Sequence, residues 1–121
     1  MPNRMPQSGI LLIDKPAGVT SHRCLAPIKR HFKPAKVGHA GTLDKFATGL
    51  LVVLVGRATR LQDLFMAQAK RYHATLHFGA ETDTLDPEGG VIAEADLPGL
   101  KALQHVLPDF TGEISQVPPQ Y

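Results

Sequence analysis

The sequence predicts an α+β fold, in which a mixed or antiparallel sheet is flanked by helices. Two short apolar segments, Gly9–Asp14 and Leu50–Val55, have the length and the bounding residues of buried strands. Leu25, Ile28 and Phe32 recur at the spacing of one helical stripe. Because strands and helices do not follow a strict βαβ order, a wholly parallel sheet is disfavoured.

The first half of the chain is predicted to begin with a strand, a helix and a second strand. Gly9–Asp14 runs into a Lys-Pro-Ala-Gly turn, and Ser21 is predicted to cap a helix that ends near Phe32. Pro27 has no backbone N–H, so it predicts a kink or a later start of this helix. Leu50–Val55 does not alternate, which predicts a central strand covered on both faces.

Alternation and turn residues define the rest of the chain. We predict a helix over 58–69, with Leu61, Leu64 and Phe65 facing inward, and then a strand over 72–78. A hairpin-like connection over Asp83–Gly90 leads to a strand over Val91–Ala95. The chain continues with a helix over Leu97–Leu107, whose apolar stripe is Leu100, Leu103 and Leu107, and with an extended edge segment over Ile114–Tyr121.

Length and composition bound the class of protein. A chain of 121 residues predicts at most one domain, and the polar residues 1–8 predict a flexible tail before a folded part over 9–121. No run approaches the roughly 18 apolar residues of a membrane span. The first residues also lack the apolar core of a signal peptide. We therefore expect no membrane association and a cytoplasmic setting.

The charge is distributed unevenly along the chain. Residues 1–72 hold twelve Lys and Arg against three acids, whereas residues 73–121 hold one Lys against eight acids. Phosphate neutralisation by Lys and Arg dominates nucleic-acid affinity, so the first part favours an RNA partner. The basic cluster from Lys29 to Lys36 is either a phosphate-contacting strip or a solvated face at a helix C-terminus.

No metal or cofactor site is predicted. Cys24 is the one cysteine, so an internal disulfide is impossible. His73 and His77 on a strand would stand about 13 Å apart, too far to share a zinc ion. Gly38 and Gly41 lack the spacing and the Lys-Ser/Thr of a phosphate-binding loop.

The segment from Lys36 to Arg60 is where we expect the chemistry. A glycine-rich loop, Gly38-His39-Ala40-Gly41, leads into Thr42-Leu43-Asp44. Asp44 is the one carboxylate between Asp14 and Asp63, and Lys36, Lys45, Arg57 and Arg60 surround it in sequence. Nearby positive charge favours the ionised carboxylate, which suits a nucleophile or a base. The alternative is a turn-forming or helix-capping Asp.

Five ordered stretches carry a resemblance to a known family. They are KPAGVTS from Lys15, GHAGTLDKFATGLLVVLVGRAT from Gly38, KRY from Lys70 with Phe78-Gly79, TDTLD from Thr82 with Gly89, and QVPPQY from Gln116. Together they resemble the N-terminal part of bacterial tRNA pseudouridine synthases of the TruB type. The resemblance implies the catalytic fold of that family, incomplete in this chain.

The resemblance also implies an activity: isomerisation of uridine to pseudouridine in RNA, at uridine 55 in the T arm of tRNA. The uracil leaves its ribose carbon, rotates and rejoins through a carbon atom, without a metal or cofactor. The target base must first leave its stack. The implied partner is therefore the T stem-loop of tRNA, bound by a protein that is monomeric at full length.

Roles of individual residues follow by match to the family motifs. Asp44 matches the catalytic aspartate, either as a nucleophile or as a base. His39 matches the histidine that fills the space of the flipped base, and Tyr72 matches the tyrosine that packs on the uracil. Supporting positions are Thr42 and Leu43, which shape the loop, and Lys15, Pro16, Gly38 and Gly41, which support it. The alternatives are a surface loop histidine for His39 and a core tyrosine for Tyr72.

The sequence departs from the family in several places. Lys45 follows Asp44 where the family has Pro, and Ala40 replaces a common Thr. The family's later arginine, which pairs with the aspartate, and its C-terminal RNA-docking module would lie beyond Tyr121. We therefore expect an N-terminal portion with an uncovered sheet edge and core face.

Two other functions remain open at this point. The first is a catalytically silent RNA-binding fragment. The second is a guide-RNA-dependent enzyme of the same superfamily acting on ribosomal RNA.

Overall fold

The computed structural model describes residues 7–118. The chain divides into two compact units, with the boundary between Arg71 and Tyr72. All strand pairs in the described residues are antiparallel, and helices accompany them in both units. The predicted α+β class is confirmed.

The first unit contains a three-stranded sheet and two helical regions. Its elements are β1 Gly9–Lys15, α1 Ser21–Phe32, β2 Val37–Ala40, β3 Gly49–Val55, a 3-10 helix Gly56–Leu61 and α2 Gln62–Met66. The strand order is β1-β3-β2, so β3 is central, as its apolar sequence predicts.

The hydrophobic core of the described residues lies in this unit. Leu51, Val53 and Val55 of β3 are buried against Leu25 of α1, together with Val37 of β2. The opposite face of β3 is covered unevenly, because Leu50 is 62% exposed whereas Leu54 is fully buried. The prediction that β3 is covered on both faces is therefore wrong at Leu50, near the start of the strand.

Helix α1 begins differently from the prediction. Thr20 is the N-cap, and its hydroxyl accepts a hydrogen bond from Arg23 N at 3.2 Å. Ser21 is the first helical residue and is buried. The helix runs through Pro27 without interruption, so the predicted later start is wrong. Pro27 and Arg23 are both exposed, so water can satisfy the Arg23 carbonyl that Pro27 leaves without a donor.

The helical region after β3 differs from the predicted helix over 58–69. It starts as a 3-10 helix and continues as the short α2, which ends at Met66. Leu61 is 43% exposed and Leu64 59% exposed, whereas Phe65 is half-buried. A 3-10 helix has three residues per turn, so it rotates the apolar stripe away from its α-helical phase. The inward orientation predicted for the two leucines is wrong.

The second unit contains a small hairpin and a helix. Its elements are β4 Ala80–Thr82, β5 Val91–Glu94, α3 Leu100–Val106 and a 3-10 helix Leu107–Phe110. The predicted hairpin is confirmed, with a register irregularity between Glu81 and Thr82. The helix predicted over Leu97–Leu107 is shorter, and its stripe residues Leu100 and Leu107 are 69% and 61% exposed.

Two predicted extended segments are irregular instead. Residues 72–78 form no strand and are exposed, because no described strand pairs with them and alternation alone supplies no hydrogen-bonded ladder. Residues 114–118 are irregular too, and 119–121 lie outside the described residues. The tail predicted over 1–8 is described only at Gln7 and Ser8, and the Ser8 hydroxyl accepts a hydrogen bond from Arg57 N at 3.0 Å.

The acidic turn of the hairpin is held by its own carboxylates. Asp83 accepts a hydrogen bond from Gly90 N at 3.0 Å. Asp86 accepts one from the Thr84 hydroxyl at 2.7 Å and one from Glu88 N at 2.9 Å. These donors, Thr84 first, lower the pKa of Asp86 from its ordinary value of 3.8. The turn chemistry of these acids accounts for their position without a bound cation.

Residues 7–118 lack two kinds of feature. No helix in this range is long and apolar enough to cross a bilayer. The same residues contain no group of three or more His, Cys, Asp and Glu side chains that could hold a metal ion. His73 and His77 are not on a strand, so the predicted separation of about 13 Å is wrong as a strand distance.

Candidate functional site

Asp44 lies on the connection between β2 and β3, at the start of a tight turn. Its carbonyl accepts a hydrogen bond from Ala47 N at 3.0 Å, which closes the turn. The side chain is exposed. The carboxylate is therefore presented to solvent on a closed turn rather than packed in hydrocarbon.

The residue before Asp44 is held by a buried hydroxyl. Ser21 Oγ accepts a hydrogen bond from Leu43 N at 2.9 Å and donates one to Leu43 O at 3.1 Å. Ser21 is 1% exposed. One side chain thus satisfies both backbone groups of Leu43, as a neighbouring strand would do. The loop is fixed to the first turn of α1.

The residue after Asp44 is held by a buried ammonium. Lys15 is fully buried, and its Nζ donates to Pro16 O at 2.9 Å, Val19 O at 2.7 Å and Lys45 O at 3.2 Å. An ammonium group has three N–H donors, so these three carbonyls use all of them. Gly18 N also donates to Lys45 O, at 2.8 Å. The turn after β1 and the Asp44 turn are joined at this point.

Asp44 is therefore flanked on both sides by backbone that the Lys15–Ser21 segment holds. The Ser21 and Lys15 side chains that make these contacts are buried, and a buried polar group that loses its partner costs about 1–3 kcal/mol. A displacement of the turn that breaks these hydrogen bonds therefore costs free energy of this order. The arrangement can present one carboxylate in a defined place, which is what a nucleophile or a general base requires.

His39 is on strand β2 rather than in a glycine loop, so the loop predicted over residues 38–41 is wrong for its first three residues. It is half-buried and pairs with Val53 of β3. Its Nδ1 donates to the carbonyl of Gly41. A carbonyl only accepts, so the neutral ring holds its proton on Nδ1 and leaves Nε2 as an acceptor.

The two glycines of this segment differ in what they require. Gly41 has a φ of +94°, a conformation that side-chain-bearing residues rarely adopt. Gly38 has an ordinary strand φ, and an added Cβ would stand 3.7 Å from the Gln62 amide oxygen, which is normal contact. Positive φ is therefore needed only at Gly41, where the chain leaves β2. Thr42, the next residue, is exposed.

The remaining predicted site residue is Tyr72. It is the first residue of the second unit, lies in an irregular segment and is 67% exposed. The core-tyrosine alternative is therefore wrong. The first unit brings together Lys15, Pro16, Leu43 and the Asp44 turn, with His39 on the adjacent strand.

The charges that surround Asp44 in sequence are mostly distant in space. Lys36 precedes β2, and Arg57 and Arg60 follow β3, whereas Asp44 lies at the other end of both strands. The seven residues of β3 span about 20 Å. The basic neighbourhood predicted around Asp44 is therefore wrong for these three cations, because that separation exceeds the screening length of about 8–10 Å.

Sequence reasoning missed the role of Ser21. The sequence predicted Ser21 as the helix N-cap, but the N-cap is Thr20. The available signal was the pair of adjacent hydroxyl residues, since one cap needs only one of them. The bond from Ser21 to Leu43 joins residues 22 positions apart, which local patterns do not encode.

The chain is similar in sequence to proteins of a known family. A family model described as TruB family pseudouridylate synthase (N terminal domain) matches residues 29–121. Proteins named tRNA pseudouridine synthase B are similar over nearly the whole chain. They include one from Borreliella burgdorferi (strain ZS7) at 49% identity over 95% of this chain, one from Gloeobacter violaceus at 50% over 93%, and one from Bordetella avium at 48% over 96%.

The chain spans part of these relatives. The aligned region covers 41% of the Borreliella protein, 39% of the Gloeobacter protein and 49% of the Bordetella protein. The family model nevertheless matches more than half of this chain and includes the whole Asp44 turn. The chain therefore belongs to the TruB family of pseudouridylate synthases.

Proposed function

We propose that this chain supplies the Asp44 turn for conversion of uridine to pseudouridine in tRNA, at uridine 55 of the T arm. The observation that supports this most directly is an exposed carboxylate whose two flanking residues are held by buried side chains. The names of the relatives supply the reaction class and the tRNA substrate.

In this proposal Asp44 meets a uridine that has left its stack. The carboxylate either attacks the nucleotide or removes a ribose proton, and both routes need the same fixed, solvent-accessible oxygen. His39, with Nε2 as its acceptor, occupies the space of the flipped base. Tyr72 packs on the uracil. Lys15, Pro16, Gly41 and Leu43 hold the turn, and Gly38 and Thr42 belong to the same segment.

Release of tritium from tRNA labelled at uracil C5 tests the proposal, because that position loses its hydrogen when the new carbon bond forms. Asp44→Asn should abolish release while tRNA binding persists. Asp14→Asn is the matched control, since Asp14 is also an exposed carboxylate but lies on β1. Turnover that survives Asp44→Asn contradicts the assignment.

A second function is supported by the excess of Lys and Arg in residues 1–72. In it the chain binds tRNA without turning it over. Salt-sensitive binding of tRNA by the unchanged chain, with no tritium release, would support this function. Full turnover by the 121 residues alone would exclude it. The guide-RNA-dependent alternative predicts no turnover of tRNA unless a guide is added.

A further inference from the structure

Several exposed basic side chains of the first unit lie at the end of the sheet opposite Asp44. Helix α1 begins beside the Asp44 turn, where Ser21 contacts Leu43, and it ends with Lys29, Arg30 and His31 in its last turn. Lys33 and Lys36 follow in the connection to β2, and Arg57 and Arg60 lie just beyond β3. Asp63 is the one acid between Asp44 and Glu81 in the sequence.

Part of this end is a groove. Lys36, Arg57 and Arg60 line an open concavity of about 360 Å³, together with Ser8 and Thr59. None of the described residues that line it is acidic. The three cationic side chains are exposed, so their charged groups can meet a ligand without first losing a buried partner.

The backbone beneath these cations is fixed. Gly56 N donates to Lys36 O at 2.7 Å, Arg57 N donates to Ser8 Oγ at 3.0 Å, and the Thr59 hydroxyl donates to Gly56 O at 2.8 Å. Gly56 has a φ of +61°, and an added Cβ there would collide with Gln7 and Ser8. The groove thus has a defined floor rather than being formed by long side chains alone.

We propose that this groove, which we call the distal groove, binds phosphates of a second stretch of the RNA whose uridine meets Asp44. The proposal rests on the proposed function. The groove and Asp44 are about 20 Å apart along β3, which is more than the screening length of about 8–10 Å. The groove charges therefore act on a different part of the ligand, and a long polyanion is the ligand that can reach both ends.

The first test measures binding of an unmodified tRNA transcript to the 121-residue chain at several salt concentrations. The variant Lys36→Gln/Arg57→Gln/Arg60→Gln removes the groove cations. Each lost phosphate contact lowers the slope of log K against log salt by about 0.7–0.9, so three contacts lower it by roughly 2 to 3. All three positions are exposed, so the fold is retained, which circular dichroism checks.

The matched control removes the same charge outside the groove. Arg23→Gln/Lys70→Gln/Lys101→Gln substitutes three exposed cations, and it should change the slope by less than 1. Equal losses in both triple variants would overturn the proposal, because net charge alone would then explain binding. A groove variant with unchanged slope would also overturn it.

Two further measurements distinguish this proposal from the proposed function and from binding of an acidic protein. Asp44→Asn should abolish tritium release but keep the full salt slope, so a failure at Asp44 is distinguishable from a failure at the groove. Polyglutamate should compete with tRNA weakly. Competition as strong as that by unlabelled tRNA would indicate an acidic protein surface as the ligand and would overturn the RNA assignment.

Discussion

Asp44 is positioned by two side chains that come from much earlier in the chain. The bond from Ser21 spans 22 positions and that from Lys15 spans 30. Both donors are buried, and both act on backbone rather than on the carboxylate itself. A charged or reactive contact would compete with substrate for the Asp44 oxygens, whereas backbone contacts leave them available.

At this scale, Ser21→Ala should loosen the Asp44 turn. It leaves the N–H and the carbonyl of Leu43 without their partner, which we expect to lower the free energy of unfolding by about 1–3 kcal/mol. Amide hydrogen exchange at Leu43 should rise by at least tenfold relative to amides of β3. Both quantities are measurable on the same sample, by urea denaturation and by NMR.

The control for this prediction is the neighbouring hydroxyl. Thr20→Ala removes the helix cap at the same end of α1, with a comparable cost of about 1 kcal/mol, but does not touch Leu43. Faster exchange at Leu43 in Thr20→Ala as well would show that loss of helix stability, not loss of the Ser21 contact, frees the turn.

The site residues could be predicted from sequence in type but only partly in place. The motif match singled out Lys15 and Asp44, and the structure places the Lys15 ammonium against Lys45 O and Asp44 exposed on the adjoining turn. The arrangement of charge in space could not be predicted. Lys36 and Arg57 are close to Asp44 in sequence, but they lie at the opposite end of strands β2 and β3 from it. An antiparallel strand separates its flanking residues by its full length.

At the scale of elements, strand β3 organises the first unit. Its apolar run predicted its central place in the sheet, since an uninterrupted β-branched segment has few other stable environments. The segment over 72–78 shows the limit of such patterns. Its alternation predicts a strand, but a strand also needs a pairing partner, and pairing depends on distant parts of a chain.

Two neighbouring leucines of β3 test its two faces. Leu51 is 1% exposed in the core, whereas Leu50 is 62% exposed on the other face. Leu51→Ala should lower the free energy of unfolding by about 2–5 kcal/mol because it leaves a cavity. Leu50→Ala should change it by less than about 0.5 kcal/mol, as for most surface substitutions. Urea denaturation of both variants measures the difference, and equal effects would show that the exposed face is covered in solution.

At the scale of the whole molecule, the two units differ in what stabilises them. All the buried hydrophobic side chains among the described residues belong to the first unit. The second unit has a short hairpin and α3, and its apolar residues such as Phe78, Leu97 and Phe110 are 48%, 75% and 72% exposed. Since apolar burial is the main source of folding free energy, stability should be concentrated before Tyr72.

Hydrogen exchange of the intact chain measures this distribution directly. Amides of β1, β3 and α1 should open only with global unfolding, because they pair around the buried core. Amides of β4, β5 and α3 should exchange at least a hundredfold faster, and the irregular residues 72–78 should exchange near the rate of an unstructured peptide. Leu51→Ala should accelerate amide exchange in β1, β3 and α1 by an amount that corresponds to the full loss of global stability. It should leave amide exchange in β4, β5 and α3 unchanged. Equal protection of β3 and β5 from exchange would contradict this prediction. It would show that the apolar side chains of the second unit are more deeply buried in solution than their exposed fractions indicate.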